Sequence, residues 1–112
     1  MIFPPGSSPD AAGWAAEFGG HMAVGLVLCA LAGLLARDAR AGAAIAVLGY
    51  GIAWEALWQA FGAGVGDALV DTFAVLCGAV IAAAAWHRIG SAIAVAILAA
   101  SIALWAGIRR RL

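Results

Sequence analysis

Four long apolar runs, separated by short polar or glycine-rich breaks, organise this chain. They cover residues 19–36, 42–62, 68–86 and 90–108, each close to the ~20 residues a helix needs to cross a bilayer core. Arg37-Asp38-Ala39-Arg40 closes the first hairpin, and Gly62-Ala63-Gly64-Val65-Gly66 the second. His87-Arg88-Ile89-Gly90 makes the third turn, and Arg109-Arg110-Arg111 ends the last run. Breaks this short force neighbouring helices to run antiparallel. No alternation of apolar and polar positions with regular turns occurs, so helices are predicted rather than the strands of a barrel. The predicted fold is all-α: one transmembrane domain over 1–112, built as an antiparallel bundle of four transmembrane helices.

Residues 1–18 read as a lead-in followed by a short interfacial helix. Met1 to Pro9 holds three prolines, and Ser8-Pro9-Asp10 is a helix start with a capping hydroxyl, a first-turn proline and an acid on the positive dipole end. A helix over 9–18 would carry Trp14 and Phe18, suited to the membrane interface. Gly19-Gly20 is then expected to bend the chain into the first span. Residues 1–20 carry no basic residue and include Asp10 and Glu17, so no signal peptide is predicted there. Small residues from Gly25 to Gly33 and from Gly42 to Gly49 recur at helical spacing and predict close helix packing.

Composition strengthens the membrane reading. The chain is 66% hydrophobic and only 11% charged, too few polar residues to cover a soluble domain. All six basic residues are Arg, and the abundance of Ala and Gly suggests a GC-rich bacterial genome. The predicted location is therefore the bacterial cytoplasmic (inner) membrane, with the lipid bilayer as the first partner. Net charge is zero, which gives no reason to expect nucleic acid as a partner. Orientation is nearly balanced: Arg37, Arg40 and Arg88 face one side, and Arg109, Arg110 and Arg111 the other. The acidic lead-in leans towards both termini outside, and the terminal arginines argue the opposite. Cys29 and Cys77 fall mid-span and read as small packing residues.

The candidate chemistry lies in acids placed where acids are rare. A carboxylate at the centre of a span costs roughly 2.5–3.5 kcal/mol on insertion scales. The antiparallel order starts the first and third helices on the side where the second and fourth end. His21 is then one turn inside the first helix, with Glu17 four residues before it. Glu55 and Gln59 share a face in the last turns of the second, and Asp67 and Asp71 share a face at the head of the third. At ~1.5 Å rise per residue, His21, Gln59 and Asp71 reach similar depth, with Glu55 deeper and Asp67 near the interface. These positions predict a polar pocket of His21, Glu55, Gln59 and Asp71 in one leaflet, with Glu17, Asp67 and Arg109 at its rim. Trp54 and Trp58 would form its wall or, like Trp105, part of the lipid-facing belt. Each member also has a plainer role: Asp67 as a helix cap, His21 as an interface residue, Gln59 as a hydrogen bond between helices. No nucleophile motif, phosphate loop or metal-ligand repeat occurs, so no cofactor or metal is predicted, and whether a reaction is catalysed stays open.

The string from Tyr50, YGIAWEALWQAFGAGVGDALVDTFAVLCGA, resembles the VanZ-like membrane proteins of bacteria. The resemblance covers about residues 17–80. It rests on Glu17 and His21, on Glu55 followed by Gln59, and on Asp67 and Asp71 followed by Ala74 and Gly78. Asp71 stands where that family has Asn, Glu55 and Gln59 are one residue further apart than usual, and the family's Arg between Gln and Asp is missing. The resemblance implies envelope biology and, for some members, reduced glycopeptide susceptibility, without implying a reaction.

Two other roles fit the chain. An accessory or stabilising subunit of a larger membrane complex, or a homo-oligomer, suits a small-residue-rich bundle without extramembrane domains. A small cation-coupled transporter suits the length and the balanced arginines, although small multidrug transporters carry their key Glu in the first helix and here Glu55 is in the second.

Overall fold

The computed structural model describes residues 10–59 and 65–112, with side chains throughout except at 55–59, 65 and 67. The lead-in over 1–9 and most of the turn expected at 62–66 lie outside the described residues. Among those described, every regular element is helical.

Helix α1 spans Ala11–Ala36. Its first turn is capped by Asp10, whose backbone is extended and whose carboxylate accepts a 2.7 Å hydrogen bond from the Gly13 N–H. This is the capping arrangement that satisfies otherwise orphaned amides. Gly19 and Gly20 do not bend the chain, because α1 runs through them unbroken. The expected interfacial helix is therefore the first part of α1. Its two aromatics explain why: Trp14 and Phe18 are 8% and 3% exposed, in a core with Ala74, Cys77 and Ala100. Packing of those rings against two other helices outweighs the roughly 0.5–1 kcal/mol that each glycine costs a helix interior.

Helix α1 stops at Arg37, which takes the left-handed conformation (φ 56°). The Gly33 carbonyl accepts from the N–H groups that follow the helix, including Asp38 at 3.1 Å. Asp38 then caps the next helix by accepting a 2.9 Å hydrogen bond from the Arg40 N–H. Two residues thus end one helix and start another, and α2, Ala39–Leu48, folds back along α1. The same helical rod continues as a π-helix over Gly49–Gln59, within the span expected at 42–62. π-helical stretches are rare and frequently sit at functional sites. Helices α3, Val65–Trp86, and α4, Gly90–Arg111, complete the chain, and the turn between them places Arg88 in the left-handed region.

Among the described residues, three helices are long and apolar enough to cross a membrane: Ala11–Ala36, Ala68–Trp86 and Gly90–Arg111. Ala39–Trp54 is a shorter apolar helix beside them.

Glycines set how closely the helices approach. A methyl group on Gly25 would strike the Val75 carbonyl of α3, and one on Gly78 would strike the Met22 carbonyl of α1. The two backbones therefore touch directly, in parallel register. Gly42 of α2 meets Gly33 and the Cys29 carbonyl of α1 in the same way, and Gly107 of α4 lies beneath the Trp14 ring. Small residues let helix backbones close on one another where lipid supplies little hydrophobic drive. The two cysteines are free and buried in separate packing clusters. Cys29 donates weakly to the Ala39 carbonyl, at 3.7 Å.

Candidate functional site

His21 is the most enclosed polar side chain described, 2% exposed and held between α1 and α3. Its Nδ1 lies 2.8 Å from the Glu17 carbonyl oxygen, one turn earlier. A carbonyl only accepts, so Nδ1 is the donor in this contact. The same Nδ1 lies 3.6 Å from Asp71 Oδ1 on α3. That separation is too long for a hydrogen bond, but it sets the carboxylate directly beside the ring. The parallel contact between α1 and α3 produces the meeting: the shift that seats Gly25 on Val75 also seats His21 on Asp71.

Tyr50 closes a third side. It is buried on the π-helical segment, and its ring meets His21 edge-on, with centroids 5.8 Å apart and planes at 75°. Glu17 is buried on the same helix as His21. The cluster therefore draws Glu17 and His21 from α1, Tyr50 from the π-helix and Asp71 from α3. Tyr50 also lines an apolar groove of about 430 Å³, together with Val24 and Leu28 of α1 and with Ile45, Ala46 and Trp54.

No protein-family model, curated protein or solved structure matches this chain. The site is therefore read from its own geometry.

Of the predicted pocket members, His21 and Asp71 are brought together, and Glu17 lies beside them. Glu55 and Gln59 sit on the π-helical segment that carries Tyr50, and Asp67 lies one turn before Asp71 on α3. The side chains of these three lie outside the described residues. Arg109, expected at the rim, extends over the Trp105 ring of its own helix at 5.1 Å, and that ring is exposed. The inward-turned arginine is Arg111. Its guanidinium lies 4.7 Å from the Trp14 ring centroid and donates a 3.0 Å hydrogen bond to the Gly107 carbonyl. Helical periodicity separates the two: Arg111 follows Gly107 by four positions and shares the face that α4 turns to α1.

Sequence reasoning missed Tyr50. Its signal was present, since it is the chain's one tyrosine and it stands inside an apolar run five residues before Glu55. It was overlooked because tyrosine carries no formal charge, whereas its ring and hydroxyl suit the edge of a buried polar cluster.

Proposed function

We propose that this chain is a multi-pass protein of the bacterial inner membrane, with four helices crossing in alternate directions. In this reading its His21-centred cluster binds an envelope component, as the VanZ-like residues imply. The observation that carries the reading is the pairing of buried His21 with the largely covered Asp71, contributed by two different long apolar helices. Ionisable groups inside a membrane are expensive, face the protein interior and commonly mark a ligand or proton path.

The surroundings suggest the ligand's chemistry. Asp71 and Glu17 favour a cationic or hydroxyl-rich group, and the His21 ring adds a polar edge at Nε2 while its Nδ1 is engaged by the Glu17 carbonyl. Tyr50 joins this cluster to the apolar groove, so an amphiphile could place its polar part at His21 and its hydrocarbon chain between α1 and α2. Glu55 and Gln59 would complete the polar lining, with Asp67 at the rim.

Asp71→Ala and Glu55→Ala, expressed in the native host, test the assignment. Each is expected to abolish the envelope phenotype, any reduction in glycopeptide susceptibility included, while the protein still reaches the membrane in normal amount. An unchanged phenotype at unchanged expression would remove the functional pocket and leave the polar groups as contacts between helices.

A further inference from the structure

A second groove lies between α3 and α4, with a volume of about 450 Å³. Its α3 wall is Leu69, Val70 and Phe73, all exposed, and its α4 wall is Ala103 and Ala106. The small side chains of α4 keep the groove open, and its lining is hydrocarbon except at one end. There the last turn of α4 contributes Arg110 and Arg111. Seven residues separate Ala103 from Arg110, so the groove rises about 10 Å along the helix from apolar wall to guanidinium. We propose that this groove is a binding site for an anionic membrane phospholipid, with its phosphate at Arg110 and Arg111 and one acyl chain against Phe73 and Ala106.

Three features favour that occupant. The wall is apolar where a spanning helix meets acyl chains, and the positive charge stands at the helix end, at headgroup level. Arg111 is held in place by the Trp14 ring and the Gly107 carbonyl, which orders one guanidinium before any ligand arrives. Arg110 is exposed beside it and lengthens the positive end of the groove. Guanidinium groups pair with phosphate oxygens through paired donors, so hydrocarbon and negative charge in one ligand match both parts of the site. This site shares none of its lining with the His21 cluster, so it stands whether or not that cluster binds an envelope component.

The test uses the full chain purified in mild detergent, with phosphatidylglycerol or phosphatidylcholine added and bound lipid counted by native mass spectrometry. Phosphatidylglycerol is expected to be retained in preference to phosphatidylcholine. Arg110→Ala should weaken phosphatidylglycerol binding about fivefold, the loss of one near-surface arginine, and leave phosphatidylcholine unaffected. Ala106→Phe fills the groove while keeping every arginine, and should also lower phosphatidylglycerol retention. Equal retention of the two lipids overturns the proposal, as does an undiminished preference in Arg110→Ala. Wild-type retention in Ala106→Phe overturns the groove and leaves diffuse surface attraction. A photo-crosslinker at position 106 that captures a second copy of the chain, or another protein, in place of phospholipid also overturns it.

Discussion

The contact between α1 and α3 makes the most demanding prediction, because two glycines set it and it aligns His21 with Asp71. The perturbation is Gly78→Ala. In an unobstructed helix interior that change is favourable by about 0.5–1 kcal/mol, since alanine loses less backbone freedom than glycine. At position 78 the added methyl meets the Met22 carbonyl of α1, an obstacle made of backbone. It cannot swing aside, so the helices must separate, and overpacking of this kind costs about 1–3 kcal/mol. With a backbone obstacle the upper part of that range applies, and the net loss is about 2 kcal/mol. Gly19→Ala is the matched control: it lies within α1, and an added methyl finds no atom within 4 Å. That variant should gain about 0.5–1 kcal/mol. The two substitutions, chemically identical, should therefore differ by nearly 3 kcal/mol, roughly a hundredfold in the unfolding equilibrium. Equilibrium unfolding in mixed micelles with rising SDS, followed by tryptophan fluorescence, measures both. If Gly78→Ala is as stable as Gly19→Ala, the backbones of α1 and α3 do not touch and the alignment of His21 with Asp71 loses its cause.

Trp14→Ala should cost about 2 kcal/mol in the same assay. That is below the roughly 3–5 kcal/mol of a soluble core, because lipid can solvate part of the vacated surface. It should also free Arg111, seen as faster amide exchange in the last turn of α4. Asp38→Ala removes the cap of α2 and should lower stability by about 1 kcal/mol, and Asp38→Asn should recover most of it. Cys29 and Cys77 should resist a membrane-permeant maleimide in the folded protein and react fully after denaturation, since both thiols are buried. Rapid labelling of either in the folded state would contradict the packing described.

Part of this arrangement was legible in the chain. Arg37-Asp38 was readable as a turn because charges cannot sit inside an apolar run, and the structure places a helix stop and a helix start at those two residues. Gly25, Gly33 and Gly42 were readable as packing positions, and each meets a neighbouring backbone. The Gly19-Gly20 pair was misread, because local propensity alone marks it as a break while distant partners of Trp14 and Phe18 hold the helix through it. Arg109 is expected at the pocket rim, and the structure sets it over the exposed Trp105 ring while the helical face turns Arg111 to Trp14.

The sequence by itself determined that the chain is helical and built for a membrane, since hydrophobic run length and the need to satisfy backbone polar groups within a segment leave little choice. It also determined that His21 and Asp71 each lie on a long apolar helix, although α1 begins at Ala11 and so places His21 ten residues in instead of one turn inside. Only the tertiary structure decided that they meet. Which helices touch, and in what register, depends on where a backbone can approach without a side chain in the way. Gly25 and Gly78 supply that space between α1 and α3, and the acid and the histidine are aligned as a consequence.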